Sequence, residues 1–251
     1  MRSHIVLAAI AAALGVLAAI ATCDDAVEGG PVGLWRFDEP DGLDLVDASG
    51  NGHAGQILSN SRGVLRVEGR NGGALAFEAG DQKERGKAGG VRLLGLEGVD
   101  WSQGLTVALW VRFTGINRPD TYELVSNSVA DRGPGFRFVL SWSTLSLRSG
   151  EGGSGNTWGC SSDATEITLK TGEWYHLAGT YDGSVFRTYI DGALVGESDP
   201  GLTLTSGEGT VWVGSYRGGY AYGLNGLVDD LRLYDYARTP AQIVMDARLR
   251  D

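Results

Sequence analysis

The sequence has few residues of the kinds that build redox centres, zinc sites or basic surfaces. Only two of its 251 residues are cysteines and three are histidines. Cys23 and Cys160 lack C-x-x-C spacing, so they cannot form a structural zinc site unaided. Lysine and arginine total 21 against 31 acidic residues, which gives a net charge of −10. Nucleic-acid binding is disfavoured, because it needs clustered cations, and divalent cations suit the acidic chain better.

Long apolar runs are also missing, apart from one near the N-terminus. Arg2 precedes the uncharged segment Ile5–Ala21, which is short and alanine-rich for a membrane span. We predict a secretory signal over residues 1–22, a tether over residues 23–31 and one domain over residues 32–251. The protein is therefore expected to be exported, either to the cell envelope or into the medium.

The end of the predicted signal leaves the fate of both cysteines open. Ile20–Cys23 reads "IATC" and resembles a bacterial lipobox, in which the cysteine receives a lipid. Thr22 departs from the usual small residue, and cleavage after Ala21 is the alternative. Either Cys23 is lipidated and Cys160 is an unpaired thiol, or the two cysteines form one disulfide.

Glycine is abundant, with 40 residues that follow no collagen-like period. Short segments of alternating apolar residues lie between the glycines, as in Gly104–Thr114, and this period of two indicates strands. The Asp191-Gly192 pair between such segments is typical of a hairpin turn. The pattern predicts an all-β fold that closes as a sandwich or a barrel.

Only the segment Thr239–Arg250 has helical spacing. Thr239 is a suitable N-cap, and Pro240 suits the first helical position because its missing N–H is not needed there. Helical spacing places Ile243, Ala247 and Val244 on one face. We expect one short C-terminal helix.

The strand-like segment Gly226–Tyr236, "GLVDDLRLYDY", contains an anomaly. Simple alternation places Asp229 on the same face as Leu231 and Leu233. A lone buried carboxylate is costly unless something neutralises it. The pattern therefore predicts either a cation or a dense set of backbone donors beside Asp229.

Several segments together carry a family resemblance. They are "LWRFDE", "DLVDASGNGHAG", "LTVALWVRF", "EWYHLAGTYDG", "TYIDGALVGE", "VWVGS" and "GLVDDLRLYDYARTPAQI". Their order and spacing between Val32 and Ile243 resemble a concanavalin A-like lectin/glucanase domain of the laminin G-like (LamG-like) jelly-roll branch. The resemblance implies a sandwich of two curved antiparallel sheets that binds carbohydrate or protein. It also implies that a structural calcium ion often lies near one end.

Matched by position, the resemblance implies Asp38 and Asp229 as candidate calcium ligands. Asp47 and Asn51 are near enough in sequence to contribute. Calcium takes about six to eight oxygen ligands, so backbone carbonyls of the Gly50–His53 turn would have to contribute. The alternative is that Asp38 and Asp47 simply accept hydrogen bonds from turn amides.

The sequence predicts no catalytic residues. Glucanases of the superfamily carry an E-x-D-x-x-E strand with two carboxylates on one face, and this sequence has no such triplet. His53 falls in a turn and His176 in a strand motif, so we interpret both as structural. A divergent glycoside hydrolase is the weakest of the functional alternatives.

Two glycine-rich loops carry the candidate ligand-binding residues, because exposed aromatic side chains can stack on sugar rings. The candidates are Trp158 in the first loop and Tyr216, Arg217, Tyr220 and Tyr222 in the second, "GSYRGGYAYG". The strand aromatics are interpreted as core or sheet packing, namely Trp35, Trp110, Trp174, Tyr189 and Trp212.

These observations predict an exported, non-catalytic β-sandwich that binds carbohydrate. A protein-interaction or structural module of the cell envelope is the main alternative. The predicted partners are a cell-surface glycan or an envelope protein, with a lipid anchor if Cys23 is modified.

Overall fold

The structure is a computed structural model, and a set of residue ranges is described. These are 29–58, 63–78, 88–116, 120–128, 133–142, 144–149, 160–161, 167–199, 201, 203–205 and 207–249. Within them no helix is both long enough and apolar enough to cross a membrane.

The described residues form sixteen strands and one helix. The strands are β1 (Gly33–Trp35), β2 (Asp44–Leu45), β3 (Gly55–Ile57), β4 (Val64–Glu68), β5 (Gly73–Phe77), β6 (Val91–Leu93), β7 (Leu105–Phe113), β8 (Thr121–Ser126), β9 (Phe136–Ser141), β10 (Thr144–Ser149), β11 (Cys160–Ser161), β12 (Trp174–Tyr181), β13 (Phe186–Ile190), β14 (Ala193–Ser198), β15 (Val211–Val213) and β16 (Gly226–Tyr234). The helix α1 is Pro240–Asp246.

The strands form two antiparallel sheets, as predicted. Sheet 1 has the order β14-β13-β12-β7-β16-β5-β4, and β1 pairs with the last part of β16. Sheet 2 has the order β11-β10-β9-β8-β15-β6-β3-β2. The two sheets make the all-β jelly-roll sandwich that the sequence indicated.

The core lies between the sheets and is built by alternation. On β7, Val107, Leu109, Val111 and Phe113 are buried in one apolar cluster with residues of sheet 2 such as Phe136 and Phe138. Their neighbours on β7 point to the other side of sheet 1, because strand side chains alternate. Each sheet therefore has an inner face on the core and an outer face, and the outer faces carry the polar clusters described below.

The prediction that Asp229 shares a face with Leu231 and Leu233 is wrong. A register shift on β16 falls between Asp229 and Arg232, and Asp230 adopts a left-handed φ of 49°. This bulge inserts an extra residue, so Val228 and Leu231 both point into the core. Asp229 pairs with Trp110 on the outer face of sheet 1.

Helix α1 covers part of this outer face. It begins with the predicted cap, because the Thr239 side chain accepts from the Gln242 N–H and the Gln242 side chain accepts from the Thr239 N–H. Ile243 packs on Ala108 and other apolar residues of sheet 1. The helix ends at Asp246, several residues before the predicted end, and Asp246 is buried on the packed face beside Arg238.

Candidate functional site

The outer face of sheet 2 carries a continuous row of side chains across neighbouring strands. Cross-strand pairing brings together, in order, Arg148, Arg137, Ser126, Trp212, Arg92 and Gln56. These residues form the polar row. Their strand neighbours, such as Phe138 and Val213, lie in the core, so the polar row points away from it.

A short hairpin between β15 and β16 folds over this row. We call Tyr216–Tyr222 the tyrosine hairpin. It is closed by hydrogen bonds from the Tyr216 N–H to the Ala221 carbonyl oxygen at 2.9 Å and from the Tyr220 N–H to the Tyr216 carbonyl oxygen at 3.0 Å. Arg217 and Tyr222 have left-handed φ values of 50° and 55°. Such backbone is costly for residues other than glycine and tends to occur where it serves a function.

The glycines of the tyrosine hairpin allow it to lie close to the sheet. A β-carbon on Gly218 would lie 2.5 Å from the Trp212 ring, and one on Gly219 would collide with the Ala88 carbonyl oxygen. Both glycines also have positive φ. Trp212, interpreted from the sequence as sheet packing, is thus held beneath the hairpin and remains partly exposed.

A buried ion pair supports the hairpin from below. Arg137 Nη2 and Glu123 Oε2 are 2.5 Å apart, and both side chains are almost fully buried. The Arg137 guanidinium lies 4.5 Å from the ring centroid of Tyr216 and 5.0 Å from that of Tyr222. Cation–π contacts of this kind are stronger when the cation is removed from water. Tyr216 and Tyr222 are therefore fixed to the sheet.

The four predicted residues of this loop do not have equal access to solvent. Tyr216 is only 4% exposed, and Tyr222 is partly buried. Tyr220 is 45% exposed, and its ring packs edge-on against Tyr216 with centroids 6.3 Å apart. Arg217 is exposed and forms an ion pair of 3.4 Å with Glu208. Tyr220 and Arg217 can contact a ligand, while Tyr216 and Tyr222 hold the loop.

The Ser126 hydroxyl oxygen and the Trp212 Nε1, both in the polar row, are buried without a hydrogen-bond partner in the described part of the chain. Ser126 and Trp212 are direct cross-strand partners. Buried polar groups are nearly always hydrogen-bonded. Both groups could therefore still form a hydrogen bond, and both lie in the polar row that the tyrosine hairpin covers.

Sequence reasoning missed one exposed aromatic residue on sheet 2. Trp142 follows β9 and is 65% exposed. In the sequence Trp142 continues the strand-like run "GFRFVLSW", so it does not stand out as a turn residue. Ser141 pairs with Thr144, so only two residues connect β9 and β10. That short gap between two alternating segments was the signal that could have identified a hairpin tip.

The conformation of Trp142 is also unusual. Its φ is 52°, in the region that costs an ordinary residue about 1–2 kcal/mol. Among the described residues its ring makes no contact with another aromatic ring or with a cation.

The predicted calcium ligands Asp38 and Asp229 hold one turn of sheet 1. Asp229 Oδ2 accepts hydrogen bonds from the Arg70 N–H at 2.8 Å and the Asn71 N–H at 3.0 Å. Asp38 Oδ1 accepts from the Gly73 N–H at 2.6 Å. The dense set of backbone donors that the sequence offered as one alternative is therefore present beside Asp229.

Burial dominates the chemistry of Asp229. It raises the pKa of the carboxyl to about 7, against the hydrogen bond from Asn71 and with a further contribution from the Asp230 charge. The Arg70 guanidinium lies 3.5 Å from the centroid of the neighbouring Trp110 ring and so covers this site. The carboxyl is held in the fold near the midpoint of its titration at neutral pH.

The other two predicted ligands, Asp47 and Asn51, hold a different turn. Asp47 accepts hydrogen bonds from the Leu34, Ser49 and His53 N–H groups at 2.9–3.0 Å. Burial acts to raise the pKa of Asp47, but the hydrogen bonds outweigh burial and lower it. Asn51 Nδ2 donates to the Val32 carbonyl oxygen at 2.8 Å.

The predicted ligands therefore do not form a single metal centre. The described residues contain no group of three or more His, Cys, Asp or Glu side chains that could hold a metal ion. The three aspartates use their carboxylates to hold backbone amides in two separate turns. The set does not fit one calcium ion, and calcium binding stays a prediction.

The histidine in the strand motif is deeply buried. His176 is fully inaccessible, and its ring packs edge-on against Trp110 with centroids 5.3 Å apart. Burial, followed by the charges of Arg232, Arg70 and Arg238, lowers the pKa of His176 to about 3. The imidazole is neutral at physiological pH and faces α1 rather than a cleft.

Three predicted residues cannot be placed. Cys23 and Trp158 lie outside the described residues, and so does the side chain of Cys160, whose backbone forms part of β11. Lipidation, the disulfide and ligand binding by Trp158 stay predictions.

Comparisons with known proteins agree with this geometry. Residues 85–244 match a laminin G family model of the concanavalin A-like lectin/glucanases superfamily. No curated protein matches the sequence. One similar solved structure is domain 4 of AbnA, a GH43 extracellular arabinanase from Geobacillus stearothermophilus, in complex with arabinotriose. Its TM-score is 0.65 at 22% identity, with 87% of this chain and 98% of that chain covered.

Two toxin domains share the fold at lower identity. The botulinum neurotoxin serotype G binding domain has a TM-score of 0.65 at 11% identity. The binding domain of botulinum neurotoxin DC in complex with SialylT has a TM-score of 0.63 at 12% identity. The matches cover 87% and 86% of this chain and half of each toxin chain. The family model spans more than half of the sequence, so this chain belongs to the laminin G-like branch of the concanavalin A-like lectin/glucanases superfamily.

Proposed function

We propose that the protein is an exported binding module that docks a carbohydrate onto the outer face of sheet 2, at the tyrosine hairpin. The observation that carries this proposal is the exposed Tyr220 ring on a rigid support. The ring rests on Tyr216, and Tyr216 rests on the buried Arg137–Glu123 pair. A preorganised aromatic surface binds a ring with little loss of side-chain freedom.

The surroundings of Tyr220 supply the polar groups that a sugar needs. Arg217 is exposed in the same hairpin as Tyr220, and its ion-pair partner Glu208, 3.4 Å away, is partly exposed. Binding sites typically combine apolar or aromatic surface with a few fixed polar groups of this kind. Two of the similar structures are complexes with arabinotriose and with SialylT, and they support a carbohydrate as the class of ligand.

Export is supported by the sequence alone. The charged Arg2 followed by the apolar run Ile5–Ala21 has the form of a secretory signal. An exported carbohydrate-binding module meets extracellular polysaccharide directly. Mass spectrometry of the mature N-terminus, purified from the producing cell, tests this part of the proposal, because an intact Met1 would contradict it.

Binding is tested by titrating the protein with arabinan, arabinotriose and sialylated oligosaccharides in a calorimeter. Tyr220→Ala removes the exposed ring, and an aromatic stacking contact of about 0.5–1.5 kcal/mol predicts a loss of affinity of about 2- to 13-fold. Tyr220→Phe keeps the ring and should retain most of the affinity.

Met245→Ala is the matched control for this experiment. Met245 is 62% exposed on α1, which packs on the other sheet. The Met245→Ala variant should bind like the wild type. If the wild type binds none of these carbohydrates, or if Tyr220→Ala binds as well as the wild type, the proposed site is wrong. In the first case a protein-interaction module becomes the better hypothesis.

A further inference from the structure

At the tip of the β9–β10 hairpin, Trp142 is both exposed to solvent and held in a strained backbone conformation. Ser141 pairs with Thr144, so Trp142 occupies the first position of a two-residue loop. Such loops favour turns with positive φ, where Asn and Gly are the residues of low cost. Trp142 instead has a φ of 52° and leaves 65% of its surface in solvent.

Among the described residues the Trp142 ring has no aromatic or cation partner that would stabilise the fold. The Trp142 N–H donates a long hydrogen bond of 3.4 Å to the Asp120 carbonyl oxygen, and any residue could make this backbone contact. An exposed large ring held in a strained turn contributes little to folding. Retained strain of this kind is common at binding sites.

The tip of the β9–β10 hairpin belongs to the sheet that the tyrosine hairpin covers, and only β8 separates β9 from β15. The Tyr222 carbonyl oxygen accepts from the Glu123 N–H, and Glu123 pairs with Val139 on β9. Ser141 lies two residues further along β9, which corresponds to about 7 Å. The Thr121 and Ser141 hydroxyls, 2.8 Å apart, connect β8 and β9 at this point. Trp142 stands directly beyond them.

We propose that Trp142 is a second ring-stacking residue for the carbohydrate that docks at Tyr220. The binding surface then extends from the tyrosine hairpin to the tip of the β9–β10 hairpin and takes an oligosaccharide of several units rather than a single sugar. This inference rests on the proposed function, because it names the extent of the same site.

The test uses Trp142→Asn, which removes the ring but supplies a residue that tolerates left-handed φ. We expect the melting temperature to stay the same or rise by about 2–4 °C as strain is relieved. Affinity should fall about 2- to 13-fold for the longest oligosaccharide that the wild type binds, whereas affinity for its shortest bound fragment should change little. Met245→Asn, an exposed apolar residue on α1, is the matched control.

Each outcome is decisive. If Trp142→Asn binds long and short fragments like the wild type while Tyr220→Ala weakens both, the inference is overturned and the proposed function stands. If Trp142→Asn lowers the melting temperature by several degrees, Trp142 is a structural residue and the inference is overturned. If the wild type binds no member of the carbohydrate panel, the proposed function and this inference both fail.

Discussion

The outer faces of the two sheets both bury charged groups, but they close over them differently. On sheet 1, Asp229 accepts hydrogen bonds from two backbone amides. Helix α1 covers neighbouring residues of this face, and its Asp246 forms an ion pair of 2.7 Å with Arg238. On sheet 2, the Arg137–Glu123 pair is covered by tyrosines, and one of the tyrosines of that hairpin, Tyr220, is still 45% exposed. The first cover leaves Asp229 and Asp246 buried, and the second presents a ring to solvent.

The difference between the two faces distinguishes a structural charge cluster from a binding site in this fold. Burial and ion pairs occur on both faces and do not discriminate between them. The discriminating feature is exposed aromatic surface beside fixed polar groups, which only the site on sheet 2 shows among the described residues. Changes to sheet 1 should therefore affect stability alone, whereas changes to sheet 2 should affect stability and binding together.

The largest expected effect follows from breaking the buried pair on sheet 2. Arg137→Met leaves the Glu123 carboxylate buried without its cation, which typically destabilises a protein by about 3–5 kcal/mol. Urea denaturation should show this loss, and carbohydrate affinity should fall because Tyr216 and Tyr222 lose their support. The double variant Glu123→Gln/Arg137→Met removes both charges and should recover part of the stability.

Arg238→Met is the control for this prediction on sheet 1. Arg238 forms the corresponding ion pair with the buried Asp246, so the substitution should lower stability without changing the affinity of the folded protein for carbohydrate. If Arg238→Met weakens binding as much as Arg137→Met does, the distinction between the two faces is wrong.

The next effect concerns the pH dependence of sheet 1. The pKa of Asp229 is raised to about 7 in the fold, above its usual 3.8, so its stabilising protonated form is lost as pH rises through 7. The pKa of His176 is lowered from 6.5 to about 3, so its contribution is present above pH 6.5 and lost as pH falls. Between about pH 4 and 6.5, the contributions of Asp229 and His176 to the free energy of unfolding therefore change in opposite directions with pH.

Asp229→Asn removes the contribution of Asp229 to this pH dependence. Between pH 6.5 and 4 the unfolding free energy of the wild type should stay nearly constant, whereas that of the variant should fall by about 1–3 kcal/mol. The fall is expected because the contribution of His176 is no longer offset by that of Asp229. Urea titrations at several pH values measure both curves. They are run with a chelator and with added calcium, since a stability that depends on calcium would contradict the assignment of the aspartates to backbone amides.

Local patterns in the sequence predicted the sheets and the helix well. Alternation identified β7, and the Asp191-Gly192 turn was confirmed by left-handed φ values of 50° and 84°. The Thr239 cap is also as predicted. These features depend on residues close in sequence, and the physical rules for them are local.

Features that depend on distant residues were missed. The bulge at Asp230 disrupts an apparently simple alternation, and it exists because the turn after β4 supplies amides to Asp229 from about 160 residues away in sequence. Tyr216 was predicted to be a ligand contact, yet it is buried by Arg137 of another strand. Sequence spacing identifies the loop, but only the packing of the strands decides which of its rings reaches solvent.

The smallest expected effect on stability tests the rim of the site on sheet 2. Arg217 and Glu208 form an exposed ion pair at 3.4 Å, and pairs of this kind contribute about 0–1 kcal/mol. Arg217→Asn removes the guanidinium while keeping a residue that tolerates the left-handed φ of 50°. Its unfolding free energy should stay close to that of the wild type, while carbohydrate affinity falls because a polar contact beside Tyr220 is lost. Arg187→Ala, which breaks exposed ion pairs on sheet 1, should leave affinity unchanged. Equal affinities for the Arg217 and Arg187 variants would restrict the ligand contacts to the aromatic rings.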